Sequence, residues 1–212
     1  MTPHTKFKTA MGRLPLVAIL RGLHPLEALA VGQVLVDAGW DLIEVPLNSP
    51  QPLQSISTLR KAFPQALVGA GTVLTPEDVR QVHSAGGELI VSPNFNPAVV
   101  AEAVRLGMVC LPGVMTASEA FAALAAGASG LKIFPAEMIT PQVLKALRAV
   151  LPAETLVLPV GGISPLNMPA FRAAGASGFG IGSALFKPGM TPAQVAESAA
   201  TYEAAWAGTR RA

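Results

Sequence analysis

At 212 residues, 51% of them hydrophobic and 13% charged, the chain is long enough to bury one substantial core and has the apolar side chains to fill it. Its 15 basic and 13 acidic residues leave a formal net charge of +2, dispersed rather than striped, so nucleic acid is not an expected partner and the Arg210-Arg211 pair reads as a solvated end. Pro, Gly or a charge interrupts every apolar stretch before the roughly 20 residues a membrane span needs, so no membrane partner is expected either.

The first segment, Met1 to Leu14, is expected as a short helix across one end of the fold. Its scattered basic residues lack the continuous apolar core and small-residue cleavage site of a secretory signal, which predicts a cytoplasmic location. From there the chain repeats one pattern: a short apolar run, a turn marked by Gly or Pro, then a helical stretch. The eight runs are Leu16 to Leu20, Leu42 to Leu47, Ala66 to Gly69, Leu89 to Val91, Met108 to Leu111, Leu131 to Phe134, Leu156 to Pro159 and Gly178 to Ile181. Between them, apolar residues spaced at three and four predict helices such as Leu26 to Ala38, Glu77 to Ala85, Ala98 to Leu106, Ala117 to Ala126, Pro141 to Val150 and Leu166 to Ala174. Several end in Ala-Gly, where a left-handed residue would close the helix. Cys110, the one cysteine, leaves no internal disulfide and reads as a small buried strand residue. His4, His24 and His83 have no second histidine or cysteine at ligand spacing, so no metal site is expected.

Short apolar strands alternating with helices imply a parallel sheet covered by helices. Eight units predict an α/β fold of the closed (β/α)₈ barrel type, with the short N-terminal helix, as one domain over 1–212. An open doubly wound sheet is the alternative, but Arg21-Gly22-Leu23-His24-Pro25 follows the first run where a Gly-x-Gly-x-x-Gly turn would stand.

In a barrel the carboxyl ends of the strands carry the site. Arg21 ends the first run, Glu44 lies in the second, Gly71-Thr72 follows the third and Pro93-Asn94 the fourth. Lys132 lies in the sixth with Phe134 after it, Gly161-Gly162 follows the seventh, and Gly182-Ser183 follows the eighth. Lys132 and Glu44 are charges where aliphatic side chains would be expected. Burial of an ammonium favours the neutral amine, the form that attacks a ketone, and a nearby carboxyl group can shuttle protons as water leaves. A structural ion pair, or a lysine reaching to solvent, are the bland alternatives. The Arg21 guanidinium suits a carboxylate, with the Thr72 hydroxyl in support. Glycines at 161, 162 and 182 let backbone N–H groups approach an anion such as phosphate.

At these positions the chain resembles the class I aldolases of 2-keto-3-deoxy-6-phospho sugar acids, the KDPG and KDPGal aldolase family. The likeness runs through Val17 to Gly22, Ile43 to Pro50, Val68 to Leu74, Ser92 to Asn94, Leu131 to Ala136, Val160 to Ile163 and Gly180 to Ser183. The resemblance implies Lys132 as the Schiff-base lysine and Glu44 as general acid/base. It implies Arg21 and Thr72 as ligands of the pyruvate carboxylate, and Gly161, Gly162 and Ser183 as phosphate ligands. It also implies a homotrimer and no metal or other cofactor. Gly71, Pro93, Phe134, Asn48, Val160 and Gly182 complete the expected substrate site. Members acting on the gluconate carry Thr-Leu-Arg-Thr after the glutamate and Thr before the paired glycines. Pro46-Leu47-Asn48-Ser49 and Val160 stand there instead, as in the galactonate-specific branch. The implied reaction cleaves the phosphogalactonate to pyruvate and glyceraldehyde 3-phosphate. Alternatives are cleavage of the gluconate epimer, isomerisation or epimerisation in a phosphate-binding barrel, and non-catalytic binding of a sugar phosphate.

Overall fold

Strands form where the apolar runs lie, because both faces of each run can be buried against helices or against one another. The computed structural model describes residues 1–209, and the Arg210-Arg211 pair lies outside them. Its first half contains α1 (Pro3–Arg13), β1 (Leu16–Ile19), α2 (Pro25–Asp37), β2 (Leu42–Pro46), α3 (Pro52–Ala62), β3 (Leu67–Gly71), α4 (Pro76–Ser84) and β4 (Leu89–Val91). There follow α5 (Pro97–Arg105), β5 (Val109–Leu111), β6 (Gly113–Val114), α6 (Ala117–Ala125), β7 (Leu131–Ile133) and a single 3-10 turn (Ala136–Met138). The chain then forms α7 (Pro141–Arg148), β8 (Val157–Pro159), α8 (Met168–Ala173), β9 (Phe179–Ile181) and α9 (Pro192–Gly208). Thr75, Thr116 and Thr191 start α4, α6 and α9 with capping boxes, each accepting from a backbone N–H while its own is taken by the side chain three residues on. Gly39 and Gly127, at φ 82° and 96°, turn the chain out of α2 and α6 as the Ala-Gly signal predicts.

The expectation of a closed eight-stranded barrel requires correction. The strands form two parallel sheets: a curled six-stranded one in the order β5-β4-β3-β2-β1-β9 and a three-stranded one in the order β6-β7-β8. Each expected run overlaps a strand, β3 running on past the expected Gly69 to Gly71, and β6 is an additional one. Prolines account for much of the break, since a residue without an N–H cannot donate to a ladder. Pro112 separates β5 from β6, and Pro93 stands where β4 would have to extend to meet β6. At the other junction Pro159 ends β8, which is joined towards β9 by a lone bridge between Val160 and Gly180 and by the Ser177 N–H donating to Val157 O.

Side-chain alternation sorts the core into two clusters. Ala18, Ile43, Val45, Val68, Ile90, Cys110, Leu131 and Ile133 pack outward against the helices. Val17, Leu42, Leu67, Leu89, Val91, Val109, Leu111 and Leu158 pack inward, and Phe7 and Ala10 of α1 close that cluster from below. A buried ion pair fixes α1 there: Lys6 Nζ lies 2.7 Å from Glu88 Oε2, while Arg60 lies 2.9 Å from Glu88 Oε1.

Candidate active site

The alternation that buries Leu42 inward also turns Glu44 inward, and with Leu131 and Ile133 facing the helices, Lys132 between them faces the interior. Glu44 is 1% exposed and Lys132 6%. Glu44 is registered against Ile19 and Gly69, Lys132 against Gly113 and Leu158. Both line a small space floored by Val17, Val91, Leu111 and Leu158. Above it opens a cavity of about 600 Å³ that they share with Arg21, Phe134, Glu137, Val160, the Gly161-Gly162 loop, Gly182, Ser183 and Lys187.

Burial dominates the charge balance. It lowers the pKa of Lys132 below the ordinary lysine value, with the Glu44 charge opposing and the Arg21 charge adding to the shift. It raises the pKa of Glu44 above the ordinary carboxylate range, against the attraction of Lys132 and Arg21. The two groups feel each other through space, yet form no direct ion pair among the described residues. Glu44 Oε2 has no hydrogen-bond partner among the described residues. The Lys132 ammonium nitrogen sits 4.7 Å from the centre of the Phe134 ring, which stabilises whatever positive charge remains. A buried amine of lowered pKa beside a proton-accepting carboxyl group is the equipment for iminium chemistry.

The other expected residues divide. Arg21, Phe134, Val160, Gly161, Gly162, Gly182 and Ser183 line the cavity with Lys132 and Glu44; Asn48, Gly71, Thr72 and Pro93 do not. Asn48 instead accepts a 2.7 Å hydrogen bond from Arg21, and Ser49 Oγ accepts one from Gly22 N–H at 2.9 Å, so two adjacent turns fix the guanidinium. Gly71 supports Glu44: a methyl group there would stand 2.5 Å from Oε2 and 2.7 Å from Oε1. Thr72 holds a left-handed φ of 57°, an uncommon conformation for a β-branched residue. The Pro93 carbonyl packs against Gly113, where a side chain would collide with it.

At the far end of the cavity, the N–H groups of Gly161, Gly162 and Ser183 have no backbone partner among the described residues. The loop is nevertheless fixed through its carbonyls: Gly162 O accepts from Asn167 at 2.8 Å and Ile163 O from the Tyr202 hydroxyl at 2.9 Å. Backbone N–H groups left unspent in this way are of the kind that can take an anion. Glu137 and Lys187 line this end and were not anticipated from sequence. Their only signal was position, shortly beyond the ends of β7 and β9. No group of three His, Cys, Asp or Glu residues suited to a metal ion occurs among the described residues.

Comparison with known proteins gives a consistent result. The model of the family described as KDPG and KHG aldolase matches residues 7–198. A probable 2-dehydro-3-deoxy-6-phosphogalactonate aldolase of Rhizobium meliloti (strain 1021) is 49% identical over 92% of this chain and 94% of its own. The 2-dehydro-3-deoxy-6-phosphogalactonate aldolase of Escherichia coli (strain K12) is 48% identical over 92% of this chain and 95% of its own. A solved structure described as native KDPGal superposes with a TM-score of 0.92 at 47% identity, covering 94% of this chain and 97% of that one.

The charge balance gives a test that needs no substrate. Because burial lowers the Lys132 pKa while Glu44 raises it, Lys132 should react with an amine-directed acylating reagent at lower pH than the exposed lysines. In Glu44→Gln the opposing influence is lost, and the midpoint should fall further. Peptide mass spectrometry of labelling against pH reads both midpoints; an upward shift in the variant would contradict the assignment.

Proposed function

Because the chain belongs to the KDPG and KHG aldolase family, we propose that the cavity binds a phosphorylated keto-deoxy sugar acid with its keto carbon at Lys132 and its phosphoryl group at the Gly161-Gly162 loop. The chain is an aldolase, a lyase that cleaves 2-dehydro-3-deoxy-6-phosphogalactonate. The gluconate alternative has less support, since the relatives of 48% and 49% identity both bear the galactonate name. One observation carries the mechanism: a buried lysine and a buried carboxyl group face one cavity without pairing directly.

The Lys132 amine adds to the C2 ketone, giving a carbinolamine. Loss of water, assisted by a proton from Glu44, leaves an iminium. Glu44, acting through a water molecule, then removes the proton of the C4 hydroxyl. As that oxygen forms a carbonyl, the C3–C4 bond breaks and its electron pair moves into the iminium. Glyceraldehyde 3-phosphate departs and an enamine remains on Lys132. Protonation at C3 regenerates an iminium, and water hydrolyses it to pyruvate and free amine. Arg21, held by Asn48, faces the pyruvate carboxylate, with Thr72 beside it. Gly161, Gly162 and Ser183 offer N–H donors to phosphate, with Gly182 giving the backbone room to approach. Gly71 supports the Glu44 carboxyl group and Phe134 bounds the pyruvate end, while Pro93, outside the cavity, packs against Gly113 beside Lys132.

Val160 precedes the phosphate loop and lines the cavity. A methyl where the gluconate branch has a hydroxyl changes which C4 configuration finds a hydrogen bond. We also read the chain as a cytoplasmic homotrimer. The resemblance supports the trimer. A substrate charged at both ends, which membranes retain, supports the location. Activity recovered from the culture medium rather than the cell lysate would contradict that location. Sedimentation equilibrium should return three times the 21.8 kDa chain mass; a monomer would refute the trimer.

Borohydride reduction in the presence of pyruvate should add a pyruvate-derived mass to the peptide containing Lys132, and none in Lys132→Met. Absence of the adduct, or loss of activity in EDTA, would overturn the mechanism. Val160→Thr should shift the kcat/KM ratio from galactonate towards gluconate cleavage by about tenfold, read by coupled assay of pyruvate release from each epimer. An unchanged ratio would remove Val160 from the specificity argument.

A further inference from the structure

The phosphate end of the cavity already contains a carboxyl group. Glu137, on the turn after β7, lies against the Gly161-Gly162 loop. A methyl group on Gly161 would collide with Glu137 Oε2 and stand 2.8 Å from its Cδ, and one on Gly162 would stand 2.7 Å from its Cγ. The room left by two missing side chains is therefore filled by the Glu137 side chain. No salt bridge fixes that carboxylate among the described residues, and the residue as a whole is exposed. It can leave without breaking an ion pair.

Three facts conflict as they stand: Gly161, Gly162 and Ser183 line the cavity with N–H groups that have no backbone partner among the described residues, Lys187 adds a cation, and an anionic side chain lies against the same loop. A phosphoryl group approaching those donors meets like charge, and the carboxylate has to yield. We propose that Glu137 is a specificity-determining residue of the phosphoryl end, whose carboxylate occupies the glycine cradle in the free enzyme and swings to solvent when a phosphoryl group arrives. This inference rests on the reading of the Gly161-Gly162 loop as the phosphate subsite. Apparent affinity for phosphate is then reduced by the fraction of molecules in which the cradle is filled. The returning carboxylate also competes with glyceraldehyde 3-phosphate and speeds its release. An unphosphorylated keto-deoxy acid has a hydroxyl at that end, which can donate to the carboxylate, so Glu137 narrows the preference for the phosphorylated substrate.

The test compares wild type with Glu137→Gln and Glu137→Ala. Inhibition by inorganic phosphate should strengthen about three- to tenfold in both variants, the amount by which a mostly filled cradle weakens binding. KM for the phosphorylated substrate should fall in step. The kcat/KM ratio of phosphorylated over unphosphorylated keto-deoxy acid should rise by a similar factor. Unchanged phosphate inhibition, or a raised KM in Glu137→Gln, would overturn the proposal, the second by making the carboxylate a ligand of the substrate. Thermal melts verify that both variants fold. Phosphate inhibition of the wild type judges the parent reading separately: if inorganic phosphate competes with substrate in the wild type but no more strongly in the variants, only the Glu137 inference fails, and if it does not compete at all, the phosphate-subsite reading fails with it.

Discussion

Glu44 and Lys132 are withdrawn from water on strands of two different sheets, and their chemistry follows from that shared desolvation. Either charge alone would cost several kcal/mol in such a setting. Together, with burial raising the acid and lowering the base, the proton's preference between the two groups narrows. A narrow preference suits a site that moves protons in both directions within one turnover. The space between the groups serves the same end. A tight ion pair would satisfy both charges and leave neither free to react, whereas here Glu44 Oε2 has no hydrogen-bond partner among the described residues.

Around this pair, glycine acts less as a hinge than as a seat for carboxyl groups. The Glu44 carboxyl group lies where a side chain on Gly71 would be, and Glu137 lies where side chains on Gly161 and Gly162 would be. The first seat is deeply buried and the second opens to solvent. The same steric device thus places one carboxyl group out of reach of water and another at the mouth of the cavity.

Much of this was legible in the sequence because a charge within an apolar run is a visible anomaly, and period-two alternation determines which way it points. Lys132 and Glu44 could be found that way, and so could the eight runs that became strands. Closure of the sheet could not. Whether edge strands meet depends on N–H donors near Pro93, Pro112 and Pro159 and on a register set by interior packing, neither of which composition reveals. Asn48 was legible as a site residue, but its hydrogen bond to Arg21 depends on how two turns meet in space. Glu137 and Lys187 lie on turns, where a charged residue is the ordinary solvated case and carries no local signal.

Helix α1 touches none of the cavity, yet Phe7 and Ala10 belong to the same apolar cluster as Val17, Val91, Leu111 and Leu158, which floor the space under Lys132 and Glu44. The helix is thus a seal against water from the closed end of the fold. A leak there would raise the local dielectric, rehydrate the ammonium and return the amine towards an ordinary, unreactive lysine. The buried amine of Lys132 is kept dry by the first turns of the chain, packed against the far side of its floor.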